Sequence, residues 1–445
     1  MKLKKNLLLT LMATIVFTGL SFTKLSAQDA QEEAPIDTIA RSIHKLQDDF
    51  AAFKKLKVSG YIQAQFQVAD SNGVPSFAGG NFSTNVDKRF LVRRGRIKFN
   101  YDNRLTQYIL QFDANQTEIR TKEAYVKITE PWLEAVSLQM GIFDVPFGFE
   151  APQSSSALES PERGRMSQTL LPNENDLGAM VTFQMPKTSK FNFLKFEAGV
   201  FNGTNGKGSD FDYQKDFISR LSVSKASKSE KVKYGIGVSY YDGGIRQGNN
   251  KVYDEVGVLS NGNTGFIMKD TSLGKPSGKM ARRNYMGADA QVSFDFPFGI
   301  TTLKAEYIQG VQPGTASTST SAGSDPGTVD TYVRNFNGAY FYYIQNIFQT
   351  KHQIVVKYDW YDPNTKVSGD QIGKSVPATY SGQLTKTELK YTTLGIGYNY
   401  KWDNNVKITL YYDMVTNEKS VNLTSKGYWK DIPDNVFTVR FQYKF

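Results

Sequence analysis

The chain has no cysteine and only two histidines in 445 residues. The first absence excludes disulfide staples and thiolate metal sites. The second leaves a Ser–His–Asp arrangement without a base: His44 sits in a helical stretch near the N-terminus, and His352 starts a strand among apolar neighbours. Catalysis is the contrasting reading, but no catalytic residues, cofactor or metal are expected here. Nucleotide-binding motifs are missing too. Beyond the first thirty residues there is no apolar run long enough for a transmembrane helix.

What is there does not resemble a soluble protein either. Mean hydropathy is −0.43, yet the chain carries 25 Tyr and 30 Phe. A transmembrane β-barrel combines these traits, because half of each strand faces water and aromatics gather at the two interfaces. The N-terminus reads as an export signal over residues 1–27. Lys2, Lys4 and Lys5 precede an apolar core from about Leu7 to Leu20, and Leu25-Ser26-Ala27 offers a cleavage site. Removing it takes away four lysines and no acid, so a formal charge of +10 falls to +6. That is too mild to suggest nucleic acid as a partner.

Residues 28–57 form the next segment. Ile36, Ile39, Ile43, Leu46, Phe50 and Phe53 follow a heptad seam. A helix this short is marginal alone, so the seam predicts a coiled coil with other copies of the chain. Ile at both seam positions favours more than two strands. The alternative is an amphipathic helix packed on its own domain.

From residue 58 to 445 the period is two. Sixteen strands are expected: 58–68, 89–101, 106–115, 120–129, 135–142, 176–185, 193–202, 216–225, 230–241, 284–295, 300–309, 335–345, 351–360, 390–401, 405–414 and 434–445. Most have about ten residues, the length a tilted strand needs to cross a bilayer. The connections alternate between short and long, with one break at Gln116–Ile119, where a long one was due. That sidedness is the pattern of an outer-membrane barrel, with periplasmic turns opposite exterior loops. An even strand count leaves both termini on the periplasmic side. Trp132, Trp360, Trp402 and Trp429 fall at strand ends or in connections, where an aromatic belt belongs. The last strand alternates Phe437, Val439, Phe441, Tyr443 and Phe445 with polar residues and stops on an aromatic. The fold class is therefore all-β: a sixteen-stranded antiparallel transmembrane β-barrel with a short N-terminal periplasmic coiled-coil helix. The long connection 242–283 has room for a hairpin around Val252–Val258 and Gly265–Asp270.

One segment fits neither strand nor helix. Between Met140 and Asp176 the chain is interrupted by Pro146, Pro152, Pro161 and Pro172. A long irregular segment needs a reason. We expect residues 143–175 to fold into the barrel mouth and narrow it, with Asp144, Pro146, Phe147, Gly148 and Glu162 in the constriction and Arg163 and Arg165 facing the solute. If apolar residues face lipid, Arg94, Arg96 and Lys98 form one inward column. Lys127, Arg220, Lys304, Lys357, Lys407 and Arg440 also point inward, opposed by acids such as Asp113, Glu123, Asp289 and Asp359. Three like charges in a column repel, which favours a basic ladder that guides anions. A network of ion pairs bracing the wall is the other reading.

The stretches RRGRIKFNY (Arg93–Tyr101), EAYVKI (Glu123–Ile128), GIFDVPFGFE (Gly141–Glu150) and ESPERGR (Glu159–Arg165) together resemble the phosphate-selective porin O and P family. The resemblance implies a sixteen-stranded barrel that assembles as a homotrimer, with its third surface loop folded into the pore. It also implies anion-guiding roles, notably toward phosphate, for Arg94, Arg96, Lys98, Lys127, Arg163 and Arg165. One position departs from the pattern: the residue after Gly-Ile-Phe is often basic in such porins and is Asp144 here. Glu150, Glu159, Glu162 and Glu174 add further negative charge to the segment. The sequence thus points to an outer-membrane porin for passive diffusion of small hydrophilic solutes, with a preference for anions. Its expected partners are small anions, outer-membrane lipids and two further copies of itself. A non-selective porin, or a surface-binding scaffold without conductance, are the alternatives.

Overall fold

The computed structural model describes residues 41–45, 47, 54–206, 210–268, 278–324 and 327–445. The chain divides into two units, Met1–Lys54 and Lys55–Phe445. In the first, residues 41–45, 47 and 54 are helical. The export signal and most of the heptad seam lie outside the described residues.

The second unit contains eighteen strands: β1 (Leu56–Ala69), β2 (Lys88–Asn103), β3 (Thr106–Ala114), β4 (Ile119–Thr129), β5 (Val136–Asp144), β6 (Asn175–Gln184), β7 (Leu194–Phe201), β8 (Asp216–Ala226), β9 (Val232–Arg246), β10 (Val252–Val258), β11 (Thr264–Met268), β12 (Met280–Phe296), β13 (Gly299–Gly314), β14 (Thr331–Asn346), β15 (His352–Asp362), β16 (Tyr391–Lys401), β17 (Val406–Asn417) and β18 (Val436–Lys444). β9 pairs directly with β12, so the β10–β11 hairpin stands off the wall and leaves sixteen wall strands, each at an expected position. The hairpin touches the wall through a short parallel pairing of Val252 and Tyr253 with Thr331 and Tyr332 of β14. β18 pairs antiparallel with β1 from Tyr61↔Lys444 to Ala69↔Val436 and closes the cylinder.

The burial pattern is inverted relative to a soluble protein. Met140 is 61% exposed, Ile236 58% and Val238 52%, whereas Gln67 and Thr438 are fully buried and Arg440 is 2% exposed. Apolar side chains outside and polar ones inside are what hydrocarbon on the outside requires. At one rim the strands are joined by short turns, such as 104–105 and 297–298; at the other the connections are long, such as 145–174 and 363–390. The four-residue connection between β3 and β4 is the exception on the long-loop rim.

The interior is not empty. Val145, Phe147, Ala151, Met166, Leu170 and Leu171, all from the long β5–β6 connection (L3), pack against inward aromatics including Phe201, Tyr285, Phe336 and Tyr340. Above them the β10–β11 hairpin contributes Tyr253 and Phe266 to a second apolar cluster with Ile372, Leu384, Leu389 and Leu423 from the outer loops.

The closing seam depends on a glycine. Phe445 donates its N–H to the Gly60 carbonyl at 3.0 Å, and the Gly60 N–H returns a bond of 3.1 Å to the Phe445 carbonyl. A Cβ on Gly60 would lie 2.4 Å from the Arg96 carbonyl oxygen and 2.7 Å from the Phe445 ring. Gly60→Ala should therefore destabilise the closed barrel by about 1–3 kcal/mol, the usual cost of overpacking. The measurement is the fraction of purified protein with the compact, heat-modifiable gel mobility of a folded barrel; an undiminished fraction would show that the seam tolerates a methyl group.

Candidate pore constriction

L3 is held to the inside of the wall by carboxylates. Glu306 on β13 accepts the N–H groups of Phe149 (3.2 Å) and Glu150 (3.1 Å) and the hydroxyl of Tyr340 (2.8 Å). Gly148 makes this approach possible: its φ is +68°, and a Cβ there would sit 2.0 Å from the Glu306 carboxylate. Glu150 folds the loop on itself by accepting from the Gly164 N–H (2.9 Å) and the Ser167 hydroxyl (2.6 Å), and it takes a bond from Tyr342 of the wall (3.0 Å).

Glu162 is the densest of these anchors. Arg94 meets it with two nitrogens at 3.0 and 2.6 Å, Arg93 with two at 2.9 and 3.1 Å, and Arg440 with one at 2.7 Å. Burial alone would raise its pKa, but the Arg93, Arg94 and Arg440 guanidiniums outweigh burial and hold it well below the usual carboxylate range. One carboxylate against three guanidiniums leaves a local excess of two positive charges.

Further along the loop, Glu174 pairs with both Arg163 and Lys122. Arg163 also donates to the Glu150 carbonyl at 3.0 Å. Asp144, at the end of β5, accepts from Asn175 at 2.8 Å. Arg165 takes a different position: its guanidinium lies between the rings of Phe77 (4.3 Å) and Tyr391 (3.9 Å).

Arg93 and Lys122 were not among the residues expected inside. Each sits on a β-bulge, where one residue is left unmatched and two neighbours share a face. Between β1 and β2 the register jumps from Gln63↔Arg94 to Ala64↔Val92, and between β3 and β4 from Gln111↔Glu123 to Phe112↔Thr121. The sequence does carry a signal for both. Outward apolar residues on β2 are even-numbered at Phe90 and Val92 but odd-numbered at Ile97, Phe99 and Tyr101; β4 switches from Ile119 to Ala124, Val126 and Ile128.

The expected column forms, and every member has an acidic neighbour. Arg94 pairs with Glu162, Arg96 with Asp113 (3.0 Å) and Lys98 with Glu123 (2.6 Å). Arg220 bonds Asp289 at 2.9 Å, Lys304 bonds Glu159 at 2.8 Å, and Lys357 lies 3.2 Å from Asp359. Lys407 donates to the Leu158 carbonyl at 2.8 Å. Lys127 lies level with Gln107 and Gln139 on the neighbouring strands. Arg94, Lys304, Lys407 and Arg440 thus tie wall to loop, whereas Arg96, Lys98, Arg220 and Lys357 pair within the wall. Beside L3, against β1–β4, lies a cavity of about 330 Å³. Its charged lining is Arg96, Lys98, Lys122, Arg163 and Lys444 with Glu123 and Asp144.

A closed sixteen-stranded barrel with apolar residues outside, charged residues inside and a long loop packed against the inner wall defines an outer-membrane channel of the porin class. The family model of the phosphate-selective porin O and P matches residues 57–445, and the chain belongs to that family. No curated protein is significantly similar in sequence. Among solved structures the chain resembles the loop L8 deletion mutant of OmpT from Vibrio cholerae (10% identity, 88% of this chain and 99% of that one, TM-score 0.49). It also resembles the outer-membrane channel DcaP of Acinetobacter baumannii (9% identity, 88% and 97%, TM-score 0.48). A third is OmpF of Salmonella typhi in complex with daunomycin (12% identity, 88% and 97%, TM-score 0.47). The family match carries the assignment.

Removing the Glu162 charge would leave the buried Arg94 and Arg440 and the partly exposed Arg93 without their counter-ion, and breaking such a cluster costs about 3–5 kcal/mol. Glu162→Gln should release L3, seen as protease cleavage within 145–174 and a lowered unfolding temperature. The pH dependence follows from the depressed pKa: the Glu162 contribution is present above the unfolded value of about 4.3 and lost only as pH falls through the lower folded value. L3 of the unmodified protein should accordingly stay protected at about pH 4; cleavage setting in already at that pH would contradict the clamp.

Proposed function

We propose that this porin passes small hydrophilic solutes passively and prefers anions, phosphate among them. The observation that supports the preference is the cavity beside L3, whose charged lining has five bases and two acids. An anion leaving water for such a lining exchanges hydration for guanidinium and ammonium donors. A non-selective porin is the second reading, favoured by the pairing of Arg94, Arg96 and Lys98 with carboxylates. The two differ in what the column does. Under the first, replacing Arg94, Arg96 and Lys98 together with Gln lowers the anion-to-cation permeability ratio severalfold, read from the reversal potential across a salt gradient in a planar bilayer. An unchanged ratio would leave the column a structural brace.

The assembly we propose is a homotrimer, with the heptad segment joining the copies as a coiled coil. Deleting residues 34–56 should shift the purified protein toward monomer in light scattering. A trimer that survives intact would make the segment a spacer.

A further inference from the structure

Near the long-loop rim the wall opens between β4 and β5. β4 and β5 pair from Thr129↔Ser137 up to Ala124↔Ile142 and no further. Above that point each strand is paired on its other side only: β4 with β3 as far as Ile119↔Ala114, and β5 with β6 at Phe143↔Asp176 and Asp144↔Asn175. Gly141, at φ +133°, lies where the two strands part. Ile119–Glu123 therefore presents a free strand edge toward a notch on the long-loop rim, beneath the one short connection there. Side chains and a loop carbonyl, instead of a strand, meet this edge. Arg120 donates to the Asn173 side chain at 3.0 Å, and Lys122 reaches the Asn173 carbonyl and Glu174.

The notch holds a cavity of about 550 Å³ lined by Arg120, Lys122, Asn173, Asn175 and Asn205 among others. The Asn175 side chain is 4% exposed, and its Oδ1 has no hydrogen-bond partner. A second cavity, between Phe77, Arg165 and Asp434 against β15–β18, has only about 20 Å³, room for about one water. The two apolar clusters occupy other parts of the lumen and the outer loops. Lys122 lines both the notch and the basic cavity beside L3.

We infer that solute reaches the lumen through the β4–β5 notch and passes into the basic cavity at Lys122, and that the narrow cavity at Arg165 is not the route. This rests on the channel reading proposed above. The Lys122–Glu174–Arg163 chain then stands at the junction of the two cavities, and a solute that crosses must meet Lys122. An anion can exchange with Glu174 for its ammonium; a cation finds that carboxylate already occupied by two bases.

The absence of cysteine from the chain makes a direct test practical. Thr121→Cys places a thiol on the notch and Ser76→Cys places one at the cavity beside Arg165; both changes are small. Each variant is incorporated into a planar bilayer and exposed to a sulfonate-bearing methanethiosulfonate, with labelling confirmed by mass spectrometry. The route predicts that labelling Thr121→Cys cuts the current severalfold while labelling Ser76→Cys leaves it unchanged. Block at Ser76→Cys with none at Thr121→Cys would overturn the route, as would full labelling of both without block. A Thr121→Cys thiol that stays unlabelled while current flows would overturn it too, because the notch would then be covered, for instance by a second copy of the chain. No current through the unmodified protein would sink the channel reading itself.

Discussion

Hydrocarbon offers no hydrogen bonds, so every backbone N–H and C=O in the wall must find a partner in another strand. That constraint shapes the rest. It forces β18 back onto β1, and it makes Gly60 and Phe445 a seam that closes with two backbone bonds. It turns the usual burial order inside out, with Ile236 and Met140 on the outside and Gln67 and Arg440 within. It also gives meaning to the rim between β4 and β5, where pairing stops and the side chains of Arg120 and Lys122 reach across to Asn173.

A polar interior creates a second problem, which is how to seat a thirty-residue loop among charges. Desolvating a guanidinium costs several kcal/mol unless it is paired. Glu162 offsets that cost for Arg93, Arg94 and Arg440 together, Glu174 for Arg163 and Lys122, and Glu306 binds backbone N–H groups that no strand could satisfy. Apolar packing of Phe147, Met166 and Leu170 fills the opposite half of the lumen. Structure and proposed selectivity thus draw on the same residues. The acids of the loop and of the wall together pair most of the inward bases, and what we propose is left for a solute is the excess lining the cavity beside L3.

Much of the wall was legible because period-two alternation is set by lipid on one side and water on the other. All sixteen strands and the hairpin at Val252–Val258 follow from that pattern and from the alternation of short and long connections. The bulges were not read, although the parity of the apolar residues changes at Val92 to Ile97 and at Ile119 to Ala124. A strict alternation rule carries no slot for an extra residue, so Arg93 and Lys122 are missing from the inward set it yields. The loop's anchoring was not legible for a different reason. The carboxylates of Glu150, Glu162 and Glu306 meet partners between 14 and 278 positions away in sequence, and no local pattern encodes such a pairing. Arg165 stood out as a base of the constriction, but its place between Phe77 and Tyr391 depends on two other loops.

The central claim is that the charges left over beside L3 make an anion-conducting passage. The most direct measurement is chloride current through the purified protein in a planar bilayer while phosphate is titrated in. The account predicts open channels whose chloride current falls as phosphate occupies the basic cavity. A steady current indifferent to phosphate, or no current at all, would contradict it.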